Sequence, residues 1–426
     1  MKFALASYGT RGDVEPCVAI GRELVRRGHE VRMAVSPDLV DFADAVGLAA
    51  VAYGPDARRW QDVHRDLLTT LFRKPWKIRS LIRVLREDWQ LLTQSWEETS
   101  TTLTSLADGA DLLFTGVIGE QSAANVAEYF DIPLATLHTF PMRPNAQLAP
   151  GVPAPLARSA MRVSDWLDRR TTKKFEAAQR RDLGLPKATG PSSRRITERG
   201  SLEIQAYDEV CFPGLAVEWA KYGDQRPFVG ALTVELPTDA DDEVTSWSAA
   251  GTPPIFFGFG STPVQSPADT LAMISAACGQ LGERALICAA DTDFGRTPRS
   301  DHIKVVGAVN YAAIFPVCRA VVHHGGGGTT AAGLRAGVPS LILPTWFDQQ
   351  LWGAQVKRLK VGTARRFSTI SRETLVGDLS TILAPQYVAR AREAATRMTK
   401  SAESVTIAAD HLENLARRTS TATAGR

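Results

Sequence analysis

Residues 321–350 read VVHHGGGGTTAAGLRAGVPSLILPTWFDQQ, and this stretch decides the fold. An apolar run, residues 320–322, leads into His323, His324 and four consecutive glycines, Gly325, Gly326, Gly327 and Gly328. Thr329 and Thr330 follow, then a helical pattern over residues 331–335 that stops at Gly337. Pro339 opens a second apolar run, residues 340–343, and Pro344 closes it. Strand, glycine turn, helix and strand in about thirty residues make one βαβ unit.

The turn has the chemistry of an anion site. Glycines let the backbone approach a ligand with no Cβ in the way. The first N–H groups of the following helix have no partner inside it, and the helix dipole favours negative charge there. Thr329 and Thr330 add hydroxyl donors, and His323 or His324 can donate to a phosphate oxygen. A plain turn would not need four glycines, each of which adds unfolded-chain entropy. No Lys follows the glycines, so the pattern is not a P-loop; nor is it G-x-G-x-x-G with a distant acid.

HHGGGGTT followed by PTWFDQQ resembles the donor-binding signature of the family 1 glycosyltransferases of GT-B fold, near the sterol glucosyltransferase-like and actinobacterial glycopeptide and glycolipid enzymes. The resemblance implies an α/β architecture of two facing Rossmann-like domains, with parallel sheets and an interdomain cleft. It implies that His323, Gly325, Gly326, Gly327, Gly328 and Thr329 hold a nucleotide diphosphate, and that Asp348 and Gln349 hold sugar hydroxyls. Gly327 departs from relatives, which more often carry Ala or Ser.

A chain of 426 residues has room for two domains. With 44% hydrophobic and 22% charged residues it reads as globular. A net charge of +3 gives no case for nucleic acid, which wants a clustered basic face. Five scattered cysteines without C-x-x-C read as buried free thiols in a reducing compartment. The opening MKFALASYG is too short an apolar run for a secretory signal, and no run of eighteen apolar residues exists. A cytoplasmic protein is expected, with possible peripheral contact at a membrane face.

The N-terminus opens a further βαβ unit. Residues 3–7 read as a buried strand, followed by the loop GTRGDVEP (9–16), a helix to Arg27 and a strand over 31–36. A loop at the carboxyl end of the first strand is where open α/β sheets bind ligands. GTRGDVEP matches the N-terminal loop of the same glycosyltransferases. That match implies Asp13 as the general base on the acceptor hydroxyl, with Arg11 and Gly12 near the diphosphate or positioning the loop.

Residues 60–106 carry Trp60, Trp76, Trp89 and Trp96 in amphipathic helical patterns laced with Arg and Lys. Most of this is core; the rest suggests an apolar acceptor cleft or a membrane-facing lip, with Trp76 touching acceptor. Strands are expected at 111–117, 133–140, 202–207 and 228–232, and His138 ends one of them where it could line the cleft. Residues 141–160 and 180–199 read as loops, and 235–242 as an acidic linker.

The pattern then restarts, with strands at 254–257, 285–289 and 303–306. Ser261, in FGFGS, resembles a phosphate contact of the family's second domain, and the backbone near Val309 its nucleoside contact. Asp291-Thr292-Asp293 matches D-x-D but reads as a solvated turn, and His323-His324 point to opposite strand faces, so no metal is expected. The domains expected are 1–234 for acceptor, 235–253 as linker and 254–402 for nucleotide-sugar. Residues 403–418 form a helix crossing back to the first domain, and 419–426 a frayed tail.

The function expected is an inverting, metal-independent transfer of a hexose or 6-deoxyhexose from a UDP- or dTDP-sugar. The acceptor expected is a hydroxyl on a large apolar molecule: a cell-envelope lipid or lipopeptide first, a sterol or macrocycle otherwise. The alternatives are a catalytically silent partner protein and another GT-B nucleotide-sugar enzyme.

Overall fold

In the computed structural model, the residues described are 1–56, 96–148, 151–260, 264, 266–290, 292, 294 and 301–424. They divide into two units: Met1–Ala206 with Gly214–Thr233 and Ser401–Arg426, and Tyr207–Pro213 with Val234–Lys400.

The sheet of the first unit holds β1 (Lys2–Ser7), β2 (Glu30–Val35), β3 (Ala50–Ala52), β4 (Leu112–Gly116), β5 (Leu134–His138) and β6 (Leu202–Gln205). All are parallel, in the order β3-β2-β1-β4-β5-β6. In β1, β4 and β5 nearly every side chain is buried, as parallel strands covered on both faces require. The second unit repeats the plan with β7 (Ile255–Gly258), β8 (Ala285–Cys288), β9 (Ile303–Val306), β10 (Ala320–His323), β11 (Ser340–Ile342) and β12 (Gly362–Ala364). Its order is β12-β11-β10-β7-β8-β9. In each sheet the chain begins on an inner strand, runs to one edge, then returns to that strand's other side and runs to the opposite edge. The reversal falls between β1 and β4, and between β7 and β10, which is where such sheets place ligands.

The helices used below are α1 (Arg11–Arg26), α2 (Glu120–Phe130), α3 (Ala154–Asp182), α4 (Gly327–Ala336), α5 (Phe347–Leu359) and α6 (Ser401–Ala424). α6 belongs to the first unit. Its buried Ala408, Ala409, Leu412 and Ala416 face inward. Arg27 ties it down through Asp410 (2.6 Å) and Glu413 (3.0 Å), and His29 Nε2 lies 3.0 Å from Glu413. The five cysteines are buried free thiols.

Four local readings of the sequence are corrected. Residues 9–16 are not a loop throughout: α1 starts at Arg11 and carries Pro16 within it. The Gly12 carbonyl that Pro16 leaves unbonded belongs to an exposed residue, where water can serve it. From Ala154 the expected loop is helix, because Pro155 stands in the first turn, where its missing N–H is not needed. Within 180–199, Ser192–Glu198 is helical. Residues 228–232 form only a single bridge, Gln205 to Phe228, before Gly230 turns away at φ +78°.

Candidate functional site

In the first unit the site is built around the end of β1. Gly9 has φ +126°, and a Cβ there would stand 2.6 Å from Asp13 Oδ2, so only glycine fits. The Gly9 N–H donates to Ser36 Oγ (2.9 Å) and Ser36 Oγ–H donates to the Gly9 carbonyl (3.0 Å), pinning the turn to the end of β2. Thr10 precedes α1 and Asp13 is its third residue. The Thr10 N–H (2.8 Å) and Oγ1–H (2.9 Å) both donate to Asp13 Oδ2; the first bond is one half of a capping box, whose other half runs from the Asp13 N–H to the Thr10 side chain. Ser7 Oγ–H donates to the Asp13 carbonyl at 2.9 Å.

Asp13 therefore has a fixed orientation, and it lines a pocket with Ser7, Tyr8, Gly116, Val117, Ile118, Leu137 and Thr139. These residues come from the carboxyl ends of β1, β4 and β5, at the sheet's reversal. The wall is mixed: Val117, Ile118 and Leu137 give it an apolar part, and Ser7, Asp13 and Thr139 a polar one. Tyr8 packs edge-on to Tyr53 at 5.3 Å, and burial raises its phenol to about 12, so it is a neutral donor at ordinary pH.

Arg11 is exposed; its Nε donates to Glu15 (2.9 Å) and its guanidinium lies 4.4 Å over the Phe42 ring. Gly12 is exposed in the first turn of α1. His138 is not in the pocket wall: it is wholly buried, and its neighbours Leu137 and Thr139 line the pocket instead. Gln205 Nε2 lies 3.3 Å from its Nδ1 and Glu120 Oε1 2.6 Å from its Nε2, which assigns the proton to Nε2. Arg143 bonds both Glu120 oxygens at 3.0 Å and also pairs with Glu203. Burial alone would raise the Glu120 carboxyl, but Arg143 and His138 hold it down to about 2. Trp76 lies outside the described residues.

In the second unit the site forms at the ends of β7 and β10. Gly325 has φ +102°, and a Cβ there would meet Ile342 Cγ2 at 2.7 Å and the Gln349 carbonyl at 3.1 Å. The Gly325 N–H donates to His323 Nδ1 at 3.1 Å, so the neutral ring carries its proton on Nε2. His323 is fully buried, and Nε2 has no hydrogen-bond partner among the described residues. Burial, with a contribution from His324, lowers this imidazole to about 3; burial lowers His324 to about 4. Both rings are uncharged at neutral pH. His324 lies between two glycines: a Cβ at Gly260 or Gly326 would stand 2.6 or 2.7 Å from its ring. The adjacent rings meet edge-on at 6.2 Å.

Gly326 is the N-cap of α4, so the N–H groups of Gly327, Gly328 and Thr329 are its first three. Thr330 is removed from the donor set: its hydroxyl donates to the Gly326 carbonyl at 2.8 Å. Gly327 faces the indole of Trp352, 3.2 Å from where a Cβ would be, which gives a reason for glycine at this position. Trp352 packs there and edge-on to Phe212 at 5.5 Å, both in the second unit.

Asp348 and Gln349 stand in the first turn of α5. Gln349 Oε1 accepts from Thr345 N–H (2.8 Å), Thr345 Oγ1–H (3.0 Å) and Trp346 N–H (3.1 Å). Its carbonyl is thus committed, and any donation to a ligand comes from Nε2. Burial raises the Asp348 carboxyl, partly offset by backbone N–H groups. The Val309 side chain lies in a core cluster with Phe256, Leu286 and Phe315. Ser261, Asp291 and Asp293 lie outside the described residues. Among the described residues no group of three His, Cys, Asp or Glu side chains could hold a metal ion, and no helix is long and apolar enough to cross a membrane.

Sequence reasoning missed Thr10, Tyr8 and Thr139. Thr10 had a signal, the T-x-x-D spacing to Asp13; the other two depend on which strand ends converge, which no local pattern encodes.

Comparison with known proteins adds the following. Residues 3–99 match the glycosyltransferase family 28 N-terminal domain, and residues 273–415 the erythromycin biosynthesis protein CIII-like C-terminal domain. An uncharacterised glycosyltransferase of Mycobacterium bovis is 59% identical over 98% of this chain and 100% of its own length. A sterol 3-beta-glucosyltransferase of Arabidopsis thaliana is 27% identical over 93% of this chain and 65% of its own. Among solved structures, the calicheamicin glycosyltransferase CalG4 superposes with a TM-score of 0.64 at 16% identity, covering 98% of each chain. The glycosyltransferase VinC in complex with dTDP has a TM-score of 0.64 at 19% identity, covering 98% of this chain and 100% of that one.

Proposed function

Since this chain belongs to the family 1 glycosyltransferases of GT-B fold, we propose that it moves a hexose or 6-deoxyhexose from a dTDP- or UDP-sugar to a hydroxyl of a large apolar acceptor. Transfer proceeds by direct displacement with inversion. The acceptor oxygen forms a bond to the anomeric carbon as the bond from that carbon to the diphosphate oxygen breaks, and Asp13 takes the hydroxyl proton.

The observation that carries this reading is the His323 Nε2–H, buried and without a partner among the described residues, four residues before the start of α4. A buried donor left unbonded costs about 1–3 kcal/mol, and a phosphate oxygen would satisfy it. With the N–H groups of Gly327, Gly328 and Thr329, it would stabilise charge developing on the leaving diphosphate without a metal ion. Ser261 is assigned the same role from its resemblance, and Val309 the nucleoside contact. Asp348 and Gln349 are assigned to sugar hydroxyls, Gln349 as a donor through Nε2. A thymidine diphosphate donor is supported by VinC, whose structure holds dTDP. An apolar acceptor is supported by Tyr8, Val117, Ile118 and Leu137 around Asp13, and by the sterol-glucosylating relative. A cell-envelope lipid or lipopeptide, handled in the cytoplasm, is the acceptor we favour.

The test is product formation from dTDP- and UDP-hexoses with a hydroxylated lipid panel, with anomeric configuration read by NMR. Asp13→Asn keeps an acceptor oxygen for Thr10, so it should bind dTDP normally and lose turnover. Near wild-type turnover in that variant would remove Asp13 from the mechanism.

A further inference from the structure

Half of the large apolar side chains exposed among the described residues fall within one short span: Val152 (45%), Leu156 (62%), Val163 (55%), Trp166 (53%) and Leu167 (51%). All but Val152, which lies just before it, are on α3. Counted from Val163, Leu156 lies seven residues before and Trp166 and Leu167 three and four after, which puts the four on one face of a helix. The other face packs on the first unit. Ala157, Glu176, Gln179 and Arg180 are buried there, Phe175 stacks on Trp96 at 5.3 Å, Arg158 bonds Glu218 at 2.6 Å, and Ser193 bonds Asp165 at 3.3 Å. The apolar stripe therefore points away from its own unit.

The stripe has a basic border. Arg162, Arg170, Lys173 and Lys174 are exposed along its flank and its C-terminal end, and Arg170 lies 5.4 Å over the Trp166 ring. An apolar face with Trp at its margin and cations beside it is the composition of helices that lie in the headgroup region of a bilayer. The same cations argue against a second copy of this chain, because a two-fold contact would bring like charges together.

We propose that α3 is a membrane-docking element: its outer face lies on a bilayer bearing anionic headgroups, with Leu156, Val163, Trp166 and Leu167 entering the acyl boundary and Arg162, Arg170, Lys173 and Lys174 among the headgroups. This goes beyond the transferase reading and holds whether or not that reading does.

The experiment is co-sedimentation of the full chain with vesicles of phosphatidylcholine alone, or mixed with phosphatidylglycerol. Binding to the mixed vesicles should exceed binding to the neutral ones by about tenfold or more, and should weaken with salt. Val163→Glu with Leu167→Glu should abolish it; Arg170→Glu with Lys173→Glu should remove the preference for anionic lipid. These positions are exposed, so melting temperature and dTDP affinity should match wild type, which separates a failed docking face from a failed transferase. Brominated acyl chains should quench tryptophan emission less in Trp166→Phe than in wild type. The proposal is overturned by equal affinity for the two vesicle types, by undiminished binding of the Val163/Leu167 variant, or by a wild-type dimer that this variant converts to monomer.

Discussion

Replacing His323 by Asn isolates a single hydrogen. Asn Oδ1 can take the place of Nδ1 and accept the Gly325 N–H now bonded at 3.1 Å, so the turn keeps its internal bond. What is lost is Nε2–H, the donor without a partner among the described residues. A hydrogen bond from a neutral donor to a charged phosphate contributes about 1.5–3 kcal/mol. The dTDP affinity of His323→Asn should therefore fall by about tenfold to a hundredfold. His323→Gln puts an amide N–H near the lost position and should recover part of it. Isothermal titration with dTDP from pH 5 to 8 adds a second constraint. Burial pushes the ring down to about 3, so before dTDP binds the histidine is neutral over this whole range, and the donor proposed for the phosphate is the neutral ring. Wild-type affinity should not climb with acidification as it would if an imidazolium were forming. The reasoning is refuted if His323→Asn binds dTDP within about twofold of wild type, a difference below 0.5 kcal/mol. A wild-type affinity rising about tenfold per pH unit below 6.5, the free histidine value, would also refute it.

Further outcomes follow from the same geometry. His323 and His324 are depressed below the free histidine value of about 6.5, so the unfolded chain takes up protons first as pH falls. Their contribution is complete above that value and is lost on acidification toward 3–4, by about 2 kcal/mol per ring at pH 5. Calorimetry should show melting temperature falling between pH 7 and 5, and falling less in His324→Asn. Glu120 acts in a lower window: its depressed carboxyl stabilises the first unit above about 4.5, and that contribution goes as pH drops toward 2. Glu120→Gln leaves Arg143 with less compensation and should cost about 3–5 kcal/mol, read by chemical denaturation. Thr10→Val deletes the 2.9 Å hydroxyl bond to Asp13 and should lower kcat by about tenfold while KM for the donor holds. Gly325→Ala, against Ile342 and a backbone carbonyl at positive φ, should destabilise by about 2 kcal/mol or more. Gly327→Ala puts a Cβ 3.2 Å from the Trp352 indole, a tight contact that the helix-propensity gain of about 1 kcal/mol partly offsets, so stability should stay within about 1 kcal/mol of wild type.

Much of this fold was legible because each inner strand announces itself. Residues 3–6, 255–257 and 320–322 are unbroken apolar runs with a glycine within the next three residues, and that combination has few other readings. The edge strands β3 and β12 were missed because three residues such as Ala50–Ala52 carry no period to detect. Prolines misled twice, each time by hiding a helix. Pro155 suggested a loop where it begins a 29-residue helix, and Pro16 suggested a boundary that α1 runs through. At the site, residue types were readable but their engagements were not. Nothing in HHGGGGTT says that Thr330 spends its hydroxyl on Gly326, or that one histidine faces a turn amide while the other lies between two glycines. His138 illustrates the limit. Its place at a strand end was right, but the two side chains that bond it, Glu120 and Gln205, stand 18 and 67 positions away.

Asp13 and Gln349 each pull back on the residues preceding their own helix, so the side chains assigned to chemistry also hold the turns that present them. Drift at either position is therefore constrained twice. An alanine would lose its contact with a ligand and loosen the backbone around it in one step, and no assay on such a variant could tell the two losses apart. Descendants of this chain that abandon catalysis should still keep an oxygen acceptor at both places, the way a disused doorway keeps its lintel.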